Sequence, residues 1–261
     1  NFSFLYHPQH KMVMNYLKHN KIGFPFFLDA KFGFNLCKSD KNFRLQKKLG
    51  GGILNDVACY VIKISNIVFQ DVPTSVLCNL TYDKKHKIDV QGSIYMTFKD
   101  DKTATGFFGY SNSFQSCYEI WGKRGLINVE KAFNLHKHQS GKLSFSTDKT
   151  TKRSIIRPSD QFQLMIDDFS NCISNIHKLN YENDILKQAF IMDCARKSAS
   201  KMKLIKSIYS LSPVWIQNWI ISFYGYILYK QRYGGDYYKF FNFYKNKDYS
   251  NLQNEKKIQY E

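Results

Sequence analysis

The chain has 261 residues, 43% of them hydrophobic and 23% charged, a balance that excludes a disordered polymer and allows one substantial core or two modest ones. Its formal net charge of +17 raises nucleic acid as a partner, but Lys and Arg never stand more than two in a row and are scattered among Asn, Ile, Phe and Tyr, so no phosphate-tracking patch is expected. Six cysteines, Cys37, Cys59, Cys78, Cys117, Cys172 and Cys194, form no CxxC pair, which argues against a zinc site or a disulfide framework and for reduced thiols in the cytoplasm.

The N-terminus shows no basic segment leading into an apolar one, so no secretory signal is read there, and a sequence opening at Asn1 in mid-pattern reads as a fragment. Residues 9–20 place Met12, Val13, Tyr16 and Leu17 at helical spacing, with Pro8 in the tolerated first turn and Gly23 beyond the end. From Phe26 to Phe34 the pattern alternates, with Phe26, Leu28, Ala30, Phe32 and Phe34 on one face of a strand. After a polar stretch, Gly50, Gly51 and Gly52 form a turn that feeds a helix over Ile53 to Phe69. Residues 74–82, 88–98, 103–111 and 115–121 are rich in β-branched and aromatic residues and read as a strand meander, with hairpin turns at Lys84 to Lys87 and Lys99 to Lys102. A turn at Gly122 to Gly125 precedes strands at 126–136 and 142–147.

Two helices follow: Asp160 to Asn175, with Phe162, Met165, Ile166, Phe169 and Ile173 as its apolar stripe, and Tyr181 to Met202, with Ile185, Ala189, Met192 and Ala195. This order predicts an α+β fold with an open, mostly antiparallel sheet covered on one face by helices. Near residue 207 the chain becomes denser in aromatics, which divides it into a main domain over 1–206 and a helical tail over 207–261. Residues 214–229 are apolar, but Gln217, Asn218, Ser222 and Gly225 interrupt them, so a buried or membrane-surface helix fits better than a membrane span.

The chemistry-bearing stretch is Gly50 to Tyr60. Consecutive glycines let backbone approach a ligand closely, and Asp56 and Tyr60, four apart on a helix, share one face. A carboxylate that accepts hydroxyl hydrogen bonds and a phenol that exchanges a proton suit a polyhydroxylated substrate. Taken alone, the residues fit the plainer reading better: Asp56 as a helix-start charge and Tyr60 as a packed aromatic. His7 and His10 have no third ligand nearby, so no metal site is expected.

Phe4-Leu5-Tyr6-His7-Pro8-Gln9-His10, Leu17 to Gly23, Gly50 to Tyr60, Asp89 to Phe98 and Ile120 to Ile127, taken in that order with the two helices up to Ser200, resemble the C-terminal domain of Gfo/Idh/MocA oxidoreductases, notably the dihydrodiol dehydrogenase and glucose-fructose oxidoreductase branch. The resemblance implies hydride exchange between a sugar-like carbon and NAD(P). Tyr60 would carry the proton, where other branches have His, and Asp56 would orient a substrate hydroxyl. Arg44, Gly51 and Gly52 would bind substrate, and a homodimer would form through the free sheet face.

A complete family member begins with a Rossmann domain bearing a glycine-rich phosphate loop, followed by a Glu-Lys-Pro segment. Neither is found in these residues, so a missing Rossmann half is implied, together with weak cofactor binding and no turnover by this chain alone. In the tail, Ser212 to Asn218, Tyr224-Gly225, Arg232 to Gly235 and Tyr249 to Lys256 resemble the lead-in of capsule-biosynthesis proteins related to phenylacetate-CoA ligase, which implies a setting of surface-polysaccharide synthesis. Two rival readings are a non-catalytic sugar-binding or dimerisation module and a membrane-peripheral scaffold anchored through Trp215 and Trp219.

Overall fold

The computed structural model of the chain describes residues 2–36, 41–175 and 181–211. The chain divides into two compact units, Asn1–Lys203 and Leu204–Glu261, and the tail features read at Ser212 and beyond lie outside the described residues. The elements are α1 (Pro8–Lys18), β1 (Pro25–Asn35), α2 (Cys59–Phe69), β2 (Ser75–Tyr82), β3 (Asp89–Thr97), β4 (Thr103–Gly109), β5 (Ser111–Gly122), β6 (Gly125–Glu130), β7 (Gly141–Ser146), β8 (Thr151–Ile156), α3 (Gln161–Asn175) and α4 (Tyr181–Leu211).

One eight-stranded sheet runs in the order β2-β3-β4-β1-β5-β6-β7-β8. All its pairings are antiparallel except β1 with β4, which lie parallel because the chain leaves β1, crosses one face as α2 and returns through the β2–β3 hairpin. The alternation read in β1 decides which face is covered: Leu28, Ala30 and Phe32 are buried with Ile94, Met96, Ala104, Phe108, Tyr118, Ile120, Ile127 and Val129. Among the described residues nothing covers the opposite face. It carries the exposed side chains of Leu77, Tyr95, Phe107 and Trp121, together with the Lys31–Asp29 ion pair and the Thr105 hydroxyl donating to Asp29.

α2 supplies the centre of the core through Val61, Ile62, Ile64, Val68 and Phe69, each burial contributing roughly 1.5–3 kcal/mol. Lys47–Phe69 is long and apolar enough to cross a membrane by composition, but 67% of that window is buried, and its apolarity serves the core. Gly106 on β4 is where helix and sheet come closest, since a Cβ there would stand 2.3 Å from Val61 Cγ1.

Three expectations are corrected. The strand foreseen over 126–136 stops at Glu130, because Lys131 turns to φ 51° and sends Ala132, Phe133 and Leu135 inward as an irregular segment. β8 was not foreseen, since Thr151–Ile156 is an edge strand with little buried surface and so has no alternation to read. The stripe Phe162, Ile166, Phe169 and Ile173 of α3 is exposed. α3 instead meets the turn at Ser3–Tyr6, where the Tyr6 hydroxyl donates to Asp168 at 3.1 Å.

Candidate active site

The glycine turn builds the site indirectly. Gly50 and Gly52 adopt φ of 75° and 124°, values that side-chain-bearing residues rarely hold. A Cβ on Gly52 would lie 2.4 Å from the Asp89 carboxylate, which reaches past it from β3 to accept the Leu54 amide at 2.6 Å and so satisfies a free N–H at the helix start. A Cβ on Gly51 would lie 2.5 Å from the Arg44 carbonyl. The close approach permitted by the glycines is therefore to the chain's own backbone and carboxylate, and it presses the Phe43–Leu45 turn against the helix start.

That contact brings Arg44 to Asp56. The helix opens with a π-helical turn over Leu54–Ala58, a widened geometry frequent at functional positions, and Asp56 projects from it. Arg44 Nε donates to Asp56 Oδ2 at 2.8 Å, and the hydroxyl of the buried Tyr110 donates to the same oxygen at 3.1 Å. Burial, reinforced by the Asp56 charge, pushes the Tyr110 phenol well above the usual range, so it stays a donor. The Arg44 and Asp56 side chains retain 34% and 21% of their exposure, so their attraction is partly screened while both remain accessible to a ligand.

Tyr60 follows in the first turn of α2. Its ring is held edge-on or tilted by Phe2, Phe4, Phe32 and Phe133, with centroids 5.4 to 5.9 Å away. Burial raises the phenol's pKa, Cys59 and Asp56 raise it further, and the Arg44 guanidinium opposes them. Among the described residues its hydroxyl has no hydrogen-bond partner, so the proton it retains is free for a ligand. Neighbouring Cys59 has its thiol pushed up to about 12, mainly by burial, which makes it an inert packing group.

Arg44, Asp56 and Tyr60 line one cavity of about 620 Å³, together with Ser3, Asn134, Gln161 and the rings of Phe32, Phe34, Phe114, Phe133 and Phe162. Gly51 and Gly52 are absent from that lining; Gly51 faces a separate cavity with Asn55, Asp89 and Arg196. Sequence reasoning missed Tyr110, Asn134 and Gln161, which reach the site from distant segments. His7 and His10, the pair considered for a metal, serve the fold: the His7 ring accepts the Gln9 amide, and His10 is bound between the Tyr118 hydroxyl and the Ala132 carbonyl.

A carboxylate clamped by a guanidinium, a protonated phenol one turn away and surrounding aromatic faces suit a ring that presents hydroxyls at its edge and C–H groups on its face. Residues 10–128, from α1 into β6, match the family model described as the GFO/IDH/MocA C-terminal domain. This segment resembles a GFO/IDH/MocA C-terminal domain. Arg44, Asp56, Tyr60 and Tyr110 lie inside it, whereas Asn134 and Gln161 lie beyond the matched residues. Among similar proteins, a dTDP-3,4-didehydro-2,6-dideoxy-alpha-D-glucose 3-reductase of Actinomadura kijaniata is 26% identical over 76% of this chain and 60% of its own length. A reductase of the same description from Saccharopolyspora spinosa is 31% identical over 51% of this chain and 40% of its own length. The crystal structure of a 3-ketoreductase from Actinomadura kijaniata in complex with NADP and TDP-benzene superposes with a TM-score of 0.71 at 25% identity, covering 76% of this chain and 61% of that one. The GFO/IDH/MocA relatives are thus sugar-nucleotide reductases, and the chain spans at most about three fifths of the length of these three.

Proposed function

We propose that this chain forms the substrate-binding half of an NAD(P)-dependent oxidoreductase acting on a sugar or nucleotide-sugar. The observation that carries the reading is the convergence of Arg44, Asp56 and the protonated Tyr60 on one aromatic cavity. In the reductive direction Tyr60 donates its proton to the carbonyl oxygen of the substrate as the carbonyl carbon is reduced, and Arg44 eases the negative charge left on the phenol. Asp56, held by Arg44 and Tyr110, accepts a hydrogen bond from a neighbouring substrate hydroxyl and fixes the ring.

NAD(P), implied by the family, is the hydride source. The Arg44 carbonyl and the Asp89 carboxylate fill the space beside the triple glycine, which argues against these glycines as a phosphate loop for that dinucleotide. In this reading, tight cofactor binding and turnover draw on a Rossmann half. The open sheet face, with Leu77, Tyr95, Phe107 and Trp121, is the surface for a homodimer, and the tail's resemblance supports a role in surface-polysaccharide synthesis. The test is calorimetric titration of the full chain with dTDP-glucose and UDP-glucose. The wild type binds, and Arg44→Ala and Asp56→Asn each weaken binding about tenfold, the equivalent of roughly 1.4 kcal/mol. Equal affinity in all three proteins would remove Arg44 and Asp56 from the site.

A further inference from the structure

The cavity holds one polar side chain for which the fold itself has no use. Gln161 begins α3, yet the capping of that helix is done by its neighbour: Asp160 Oδ1 accepts the amides of Phe162 at 3.0 Å and Gln163 at 3.1 Å. Phe162 and Gln163 are exposed, whereas Gln161 is only 2% exposed and lines the cavity beside Phe133 and Asn134. Its side-chain oxygen is buried and has no hydrogen-bond partner among the described residues. Buried polar atoms are almost always paired, since leaving one unmade forfeits the hydrogen bonds it had with water. A long amide side chain ordered at that cost in the wall of a cavity otherwise lined largely by aromatic rings, with no bond from the described residues holding its buried oxygen in place, is free to turn that oxygen toward what enters the cavity.

We infer that Gln161 is a specificity-determining residue of this site, its terminal amide turning as the sugar enters so that the side-chain oxygen accepts a hydrogen bond from a sugar hydroxyl. This inference rests on the sugar-oxidoreductase reading and names the part of the substrate that is read. An amide oxygen repels a phosphate and attracts an O–H hydrogen, so Gln161 addresses the neutral sugar ring, while Arg44, the one cation of the lining among the described residues, is the group suited to negative charge. The site then grips the ring at two independent places. Asp56 and Tyr60 come from the helix start after the glycines, and Gln161 comes from the start of a helix about a hundred residues later. A sugar lacking the hydroxyl that Gln161 reads leaves the amide unpaired and is rejected, which is how a buried polar group discriminates between close analogues.

The experiment uses the full chain, wild type and as Gln161→Leu and Gln161→Glu, titrated calorimetrically with dTDP-glucose and its monodeoxy analogues, with the melting temperature of each unliganded protein measured alongside. The expected result is a loss of roughly 10- to 100-fold in dTDP-glucose affinity for Gln161→Leu. One deoxy analogue should bind wild type and Gln161→Leu equally, and Gln161→Glu, which keeps an acceptor oxygen, should retain the discrimination. Unliganded Gln161→Leu should melt at or above the wild-type temperature, because the fold loses no hydrogen bond. Equal binding of every sugar by wild type and Gln161→Leu overturns the inference while leaving the sugar-binding reading intact, and a lowered melting temperature overturns it by showing the amide to be structural. Failure of the wild type to bind any of these sugars refutes the reading of the site itself, and the inference falls with it.

Discussion

Acidification should destabilise this protein through His10. The ring is 3% exposed, its Nε2 lies 2.9 Å from the Ala132 carbonyl, and its Nδ1 lies 2.9 Å from the Tyr118 hydroxyl. A carbonyl only accepts, so Nε2 carries the proton and Nδ1 accepts from Tyr118; both nitrogens are satisfied in the neutral ring, and a second proton on Nδ1 would make the Tyr118 hydroxyl give up its own donation. Burial lowers the His10 pKa to about 4, opposed by the Ala132 hydrogen bond and assisted by His7. Unfolded His10 titrates near 6.5, so between about 6.5 and 4 the unfolded chain binds a proton that the folded chain does not, and stability rises with pH across that window. The stabilisation is complete above the upper value and falls by about 3 kcal/mol as pH drops to the lower one, with the lowered pKa of His7 acting in the same direction. Urea unfolding followed by near-ultraviolet circular dichroism at a series of pH values measures this, with His10→Gln as the non-titrating comparison. The wild type should lose about 3 kcal/mol more than the variant on going from pH 7 to pH 4. Parallel pH profiles would refute the reasoning. Because His10 and Gln9 both bond the Lys131–Ala132 backbone, acid should also loosen Phe133 and Asn134 in the cavity wall, visible as faster amide exchange there.

Tyr60→Phe removes a hydroxyl that bonds nothing within the described protein, so the unfolding free energy should change by less than about 1 kcal/mol, while the reductase activity proposed for this chain together with a Rossmann half should be lost. A clearly destabilised variant would assign the phenol to the fold. Gly106→Val should cost about 1–3 kcal/mol in urea unfolding, because its side chain meets Val61, the residue after Tyr60, and the displaced helix should weaken sugar binding as well. Unchanged stability would contradict the close helix–sheet contact.

The parts of this architecture that the sequence revealed are those encoded by neighbours along the chain. The alternation from Phe26 to Phe34 placed β1 and its buried face, and the spacing of Asp56 and Tyr60 placed both on one cavity, even though the first of them stands on a π-helical turn that no periodicity announces. What stayed hidden depends on distant partners. Tyr110 reaches Asp56 across a sequence separation of 54, and Gln161 joins the cavity from the far end of the sheet segment. The triple glycine was legible as a turn, but its purpose was not: the feature that demands it is the Asp89 carboxylate, supplied by another strand. The stripe of α3 obeyed helical periodicity and still lies exposed, because periodicity reports an apolar face without saying what covers it.

The central claim is that this chain holds a sugar and leaves the cofactor to a separate half. It is tested most directly by titrating the purified chain with dTDP-glucose by calorimetry and with NADPH by fluorescence. The account predicts saturable sugar binding and no NADPH binding up to the millimolar range. Micromolar NADPH binding without sugar binding would contradict it.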